Sequence, residues 1–209
     1  MNRLSHAMKK STFFLALFFA DVFFATGFAP LGAETPGKMV PVLKINQELE
    51  KRTAIKPSII PGAGSGLFAV AAIKKGEVIG ELGGRLVTDE DYPVGNHYLA
   101  SIPKCAWEET KPYKYLDSKD YGGHVSRTNF APSKINGIET NFQNAEIGQV
   151  CKYPYFVFIA TRNIAPGTEI WSSYGSHYDY DKFMYEPAVR DFFCGRLKID
   201  CSKHYTFEP

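Results

Sequence analysis

The residues of this chain whose types and spacing suit chemistry are phenols and amides set around glycines. The stretch Ile159 to Tyr178, IATRNIAPGTEIWSSYGSHY, runs strand, turn, strand and then an aromatic hydroxyl. Phe156 to Ala160 is β-branched and aromatic, and Ala165-Pro166-Gly167-Thr168 places Pro and Gly where a turn needs a preset and a free backbone angle. Glu169-Ile170-Trp171 resumes the extended pattern, so Tyr174 is delivered at a strand end beside Gly175. A Tyr-Gly pair can equally close a hairpin without chemistry. Upstream, PGAGSGLFA carries glycines at 62, 64 and 66, which allow a sharp turn and a close ligand approach. This is no phosphate cradle, because Leu67 to Ile73 leads directly into Lys74-Lys75-Gly76, leaving neither a helix N-terminus nor a Walker lysine. Cys194, Cys201 and His204 lack a fourth ligand and a CxxC pair, so no metal site is expected.

Taken together, three ordered motifs say more than any one. Gly62 to Ala69, the turn Ile73-Lys74-Lys75-Gly76-Glu77-Val78-Ile79, and Arg162-Asn163-Ile164-Ala165-Pro166-Gly167-Thr168-Glu169-Ile170 leading to Tyr174-Gly175 resemble the SET-domain family of protein lysine methyltransferases. The resemblance covers roughly Lys56 to Tyr180. Within it, His97 to Ser101 resembles the family's internal tyrosine-bearing strand, and Gly123 to Arg127 the approach to its Arg-x-x-Asn-His-Ser segment. The chain then departs from the pattern. Asn129 comes one place early, Phe130 stands where His is usual, and Asn141 and Asn144 both follow an insertion from Pro132 to Glu139. This divergence is similar to the PR-domain branch, some of whose members are poor or inactive enzymes.

The resemblance implies a mainly β fold of the β-clip type, built from small curled sheets with a C-terminal pseudoknot and few short helices. It implies S-adenosylmethionine as cofactor, lying along Gly64, Ser65 and Gly66 and held at its amino-acid end by Asn129, with Asn144 as the alternative. Arg127 is either a structural ion pair near the site or a contact to the cofactor carboxylate. Tyr174 is the implied catalytic hydroxyl and Tyr98 the opposing one, with Tyr178 and Tyr180 lining a channel for the target lysine. His124 and His177 have no role in such a reaction, and Trp171 is expected in the core. The partner would be a protein presenting a lysine, histone-like or otherwise, met by a monomer. The alternative is a catalytically weak or inactive SET-like domain that binds protein.

The elements that position these residues follow from composition. A chain of 209 residues rich in Gly, Pro, Tyr and Phe suits one domain of short strands joined by turns, with appendages. A net charge of +2 with no basic run gives no footprint for nucleic acid. Residues 1–33 carry Arg3, Lys9 and Lys10, then an apolar run from Phe13 to Ala20, and small residues at Gly32-Ala33. That is the layout of an export signal, cleaved or kept as an anchor, or shortened by a start at Met8. Export, with onward delivery to a host cell, is one expectation; a membrane-anchored domain in the cytosol is the other, and the membrane is met only through this segment. Residues 34–55 read as a linker with a short helix near Gln47 to Arg52. Residues 56–180 form the SET-like domain, and 181–209 an aromatic flanking segment with a helix from Pro187 to Leu197. The four cysteines either pair, Cys194 with Cys201 across a short loop, or stay as buried thiols.

Overall fold

The computed structural model describes residues 40–175 and 178–209. The expected signal or anchor at 1–33 and His177 lie outside the described residues. In chain order the elements are β1 (Val42–Leu43), α1 (Gln47–Glu50), β2 (Thr53–Pro57), β3 (Ser65–Ala69), β4 (Val78–Glu81), β5 (Gly84–Val87) and β6 (Leu99–Ser101). There follow α2 (Trp107–Thr110), β7 (Tyr115–Asp117), a 3-10 turn (His124–Arg127), β8 (Asn129–Phe130), β9 (Lys134–Ile135) and β10 (Ile138–Glu139). The chain closes with β11 (Ala145–Gln149), β12 (Phe156–Ala160), β13 (Glu169–Ser172), α3 (Asp181–Met184), α4 (Pro187–Leu197) and β14 (Phe207–Glu208).

These short strands form four small sheets, ordered β1-β5-β7-β6, β10-β9-β14, β11-β12-β4 and β2-β3-β13-β8. The fold is mainly β with few short helices, as the sequence implied. Pairing is antiparallel except where β8 runs parallel to β13, Asn129 opposite Trp171 and Phe130 opposite Ser172. That one parallel contact brings the divergent segment beside the strand that leads to Tyr174. Every residue of β13 is buried, and alternation along a strand sends successive side chains to opposite faces. Ile170 therefore enters one core, with Leu67, Ile79, Leu116, Val125 and Phe158, while Trp171 enters another, with Ile60, Phe130, Ile135, Met184 and Phe193.

Residues 34–55 are not simply a linker. From Val42 onward they belong to the fold: β1 pairs with β5, and β2 pairs with β3 along its whole length. Asn46 caps α1 by accepting the Glu48 N–H at 3.0 Å, and its own N–H reaches the Glu81 carboxylate at 2.9 Å. Ile59-Ile60, which reads as a strand fragment, is a bend instead. The Ser58 N–H goes to Gly64 O and the Ile59 N–H to the Glu169 carboxylate, so neither is left for a ladder.

The C-terminal helix spans Pro187–Leu197 as the sequence suggests, with Pro at its first turn and Lys198 closing it in the left-handed conformation. Both cysteine pairs are disulfides. Cys194–Cys201 ties the end of this helix to the following loop, which removes any metal-binding role, and Cys105–Cys151, not foreseen from the spacing, joins the turn before α2 to the loop after β11. Among the described residues no helix is long and apolar enough to cross a membrane. Loop-closure entropy grows with loop length, so the bridge across 46 residues should stabilise by about 4 kcal/mol and the bridge across 7 by about 2.5 kcal/mol. Urea unfolding of Cys105→Ser/Cys151→Ser should therefore show a larger loss than Cys194→Ser/Cys201→Ser.

Candidate functional site

Glu169, the first residue of β13, is the polar centre around which the Pro-Gly-x-Glu turn, the glycine turn and the divergent segment meet. Its side chain is 3 % exposed, yet the carboxylate is fully engaged. Ser58 Oγ donates to it at 2.7 Å, the Ile59 N–H at 2.9 Å and Asn129 Nδ2 at 3.0 Å. Three donors on one buried anion replace the water it loses. The glycine turn is built around the same group. A Cβ on Gly66 would stand 2.1 Å from Glu169 Oε1, so position 66 must lack a side chain. Sequence reasoning missed this residue, because a glutamate in a Pro-Gly-x-Glu turn ordinarily points to solvent.

Asn129 lies in the middle of this arrangement. Both its amide hydrogens are committed, one to Ser65 O at 2.9 Å and one to Glu169, while its Oδ1 takes no hydrogen bond from the described residues. Asn144 behaves differently. It is 2 % exposed, its amide donates to Glu169 O and its Oδ1 accepts the Trp171 N–H, both at 2.9 Å. It staples β11 to the backbone of β13, a structural role that leaves Asn129 as the amide open to a ligand.

Tyr174 emerges from β13 with its ring partly exposed and its hydroxyl enclosed. The hydroxyl donates to Thr128 O, in the residue before β8. Burial, reinforced by the neighbouring Tyr178, Tyr180 and Tyr98 phenols, pushes its pKa far above the ordinary phenol range. Tyr178 lies 4.8 Å from it, centroid to centroid, and reaches across to His97 at 5.9 Å. Tyr180 is buried; its hydroxyl accepts the Tyr174 N–H at 2.9 Å and donates to Gly175 O at 2.8 Å. Thus Tyr178 presents a partly open ring at the site, whereas the Tyr180 phenol fixes the Tyr174 backbone and its ring stacks on Phe130 at 4.1 Å.

Tyr98 stands in the turn before β6, and Arg127 ends the 3-10 turn before β8. Arg127 Nη1 donates to Tyr98 Oη at 2.6 Å and Nη2 to Lys119 O at 3.0 Å. No carboxylate among the described residues pairs with this guanidinium, so the ion-pair reading of Arg127 does not hold. The structure thus gathers Tyr98, Arg127, Asn129, Tyr174 and Tyr178 from distant parts of the chain. His124 is a structural neighbour: it faces Thr53 Oγ1 at 3.0 Å and the Glu50 carboxylate at 3.5 Å.

A cofactor with an amino-acid tail fits these residues. Gly64 has open space where a side chain would stand, Ser65 is exposed, and the Asn129 oxygen is an acceptor suited to an ammonium. Two clefts of about 310 and 300 Å³ lie elsewhere, the first beside Trp107 and Lys114, the second beside Val42 and Tyr121.

Two outcomes test this geometry. Glu169→Gln turns one acceptor oxygen into a donor facing donors, and should cost roughly 2–4 kcal/mol in urea unfolding. Gly66→Ala should lose stability through the same carboxylate, and the two losses should not add. Because the folded-state pKa of Tyr174 is raised above its ordinary 10.0, the stability it contributes is present below pH 10 and lost as pH rises above it. Alkaline unfolding above pH 10 should be shallower in Tyr174→Phe than in the wild type.

A model of the SET domain matches residues 64–175, more than half of the chain. No curated protein matches it. Among solved structures the chain is similar to the methyltransferase domain of human PR domain-containing protein 2, at 17% identity over 70% of this chain and 97% of that one, with a TM-score of 0.45. It is also similar to a humanized mutant of the Chaetomium thermophilum Polycomb Repressive Complex 2 bound to an inhibitor, at 21% identity and a TM-score of 0.47, covering 60% of this chain and 15% of that one. The structure of that complex with H3K27me3 and H3K27M gives 20% identity, the same coverage and a TM-score of 0.46. With Gly64-Ser65-Gly66, the Pro-Gly-x-Glu turn and Tyr174 all inside the matched span, the chain belongs to the SET-domain family, a family of protein lysine methyltransferases.

Proposed function

We propose that this chain methylates the side-chain amine of a lysine in a protein substrate, using S-adenosylmethionine. The observation that carries the reading is the enclosed Tyr174 phenol at the end of β13, its hydroxyl on Thr128 O and its pKa pushed up by burial, with Tyr98 and Tyr178 beside it. S-adenosylmethionine supplies an electrophilic methyl on a sulfonium, which an amine can attack in line without acid-base assistance at the methyl itself. What the protein must do is deliver the amine neutral, aligned and dry. A free lysine, with pKa about 10.4, is almost wholly protonated at neutral pH. A channel walled by Tyr174 and Tyr178 rings disfavours the ammonium by desolvation. Tyr174 has its proton committed to Thr128 O, so the phenol has only lone pairs left for an amine and serves to orient rather than to take up a proton. The Gly64-Ser65-Gly66 backbone and Asn129 Oδ1 are the groups that would hold the cofactor.

A second reading is a protein-binding domain of weak or no activity. Phe130, standing where the family has His, supports it: its ring is buried against Tyr180 and Phe207 and offers no polar side chain to a ligand. The substrate proposed under the first reading is a lysine-presenting protein of the histone kind. For location we propose export, supported by the two disulfides together with the signal-like composition of residues 1–33. Since the cofactor is made in the cytosol, export then requires delivery into a compartment that holds it.

Calorimetry should show S-adenosylmethionine binding, and radiolabelled methyl should transfer to histones or to lysate proteins. Tyr174→Phe should lower the transfer rate by about 100-fold or more while cofactor affinity is kept. Binding of cofactor without any transfer would select the second reading.

A further inference from the structure

We propose that Arg127 is a positioning residue for the lysine channel: it fixes the Tyr98 hydroxyl and sets a positive charge, without an ion-pair partner among the described residues, beside the phenol that would meet the target amine. The inference rests on the methyltransferase reading above. Tyr98 is anchored only through its backbone by the rest of the chain, its N–H on Asn96 Oδ1 at 2.9 Å and its carbonyl taking Ser118 N and Oγ at 3.0 and 2.8 Å. Among the described residues Arg127 alone hydrogen-bonds its hydroxyl, and the same guanidinium lies over its ring. The guanidinium carbon lies 4.9 Å from the ring centroid, and Nη1 donates to the hydroxyl at 2.6 Å. Lys119 O fixes the far side of the guanidinium at 3.0 Å.

Two consequences follow from donor and acceptor counting. A phenol oxygen that accepts from Arg127 keeps one lone pair and its own hydrogen, both pointing away from the guanidinium, and the Tyr98 phenol is near enough to Tyr174 and Tyr178 to help raise the pKa of each. An amine that hydrogen-bonds to this oxygen therefore sits about 5 Å from a fixed cation, within the range at which like charges disfavour the protonated form. Two acids also act on these phenols: Glu169 on Tyr174, its carboxylate committed to Ser58, Ile59 and Asn129, and the exposed Asp179 on Tyr178. Asp117 is paired with Arg85 at 3.6 Å, Lys119 and Asp120 are exposed, and His97 faces Tyr178. Arg127 would then help the channel select neutral lysine, in addition to the desolvation its aromatic walls supply.

The test uses the full chain with S-adenosylmethionine and a lysine peptide found to be methylated by the wild type, comparing Arg127→Met, Arg127→Lys, Tyr98→Phe and the Arg127→Met/Tyr98→Phe double variant. Cofactor affinity by calorimetry should stay within about threefold in all four. Arg127→Met should lower kcat by about tenfold or more, and the double variant should be no worse than the poorer single one, because the two residues act as a unit. The acid limb of kcat, which reports the bound complex, should move up by about one pH unit in Arg127→Met and stay in place in Arg127→Lys, which keeps the charge. A tenfold loss of cofactor affinity in Arg127→Met would assign the guanidinium to the cofactor instead and overturn the proposal. So would additive losses in the double variant, or an acid limb unmoved by removing the charge. A wild type that transfers no methyl to any lysine overturns the methyltransferase reading and this inference together, whereas an active wild type with indifferent Arg127 variants overturns the inference alone.

Discussion

The site depends first on one buried anion. Glu169 begins β13, and its carboxylate gathers Ser58, the Ile59 N–H and Asn129, which come from the approach to the glycine turn and from the divergent segment. A carboxylate this deeply buried is tolerable only when donors replace its water, and it holds those donors in place with equal force. The conformation of the glycine turn follows from it. Gly66 lies against the carboxylate so closely that no side chain fits, and Asn129 can reach Ser65 O only because its other amide hydrogen rests on the same anion. The Pro-Gly-x-Glu turn and the glycine turn, far apart in sequence, are thus two halves of one polar contact. That is the physical reason their co-occurrence says more than either motif does.

From this centre β13 divides the molecule. Its alternation commits Ile170 to one core and Trp171 to the other, and its end releases Tyr174 where the two meet. The parallel pairing with β8 sets Thr128 O within reach of the Tyr174 hydroxyl, and Asn144 locks the strand from the opposite edge. The C-terminal segment finishes the second core with Met184, Val189, Phe193 and Phe207, held down by β14 on β9 and by the Cys194–Cys201 bridge. These residues are core as well as cover. A chain cut after Asp181 would lose much of that core, so the segment cannot be read as a detachable lid.

Much of this was legible in the sequence because strong local signals and tertiary demands agreed. Phe156 to Ala160 is apolar and β-branched and is a strand; Pro187 to Leu197 opens with Pro at a helix start and is the longest helix described. Tyr174, Tyr98 and Asn129 were found through motif order, and they do converge. What was missed was decided by partners distant in the chain. Val42–Leu43 is too short to announce a strand and Thr53–Pro57 carries Lys and Pro with no apolar alternation, and they exist because β5 and β3 offer them edges. Glu169 looks solvated in its turn, and only the fold supplies three donors to it. Arg127 gave no hint of its partner, since a guanidinium seeking a phenol and a carbonyl has no spacing signature. Cys105 and Cys151 likewise carry no sign of being neighbours.

The substitution of Phe130 for the family's histidine takes a definite meaning from this arrangement. Phe130 faces the second core, stacking on Tyr180 at 4.1 Å and touching Phe207, so its apolar ring suits the place it occupies. Tyr180 in turn binds the Tyr174 N–H and Gly175 O, which means the phenylalanine supports the backbone that presents the reactive phenol. Phenylalanine at this position thus packs under the backbone that carries Tyr174 and offers no polar side chain there. Asn129 has both amide hydrogens committed and can only accept, so the cofactor's amino-acid end can be met there by an ammonium and not by a carboxylate. Under the proposed reading, the divergence from the family pattern bears on how a cofactor would be held at Asn129, while the Tyr174 backbone keeps its partners on Tyr180.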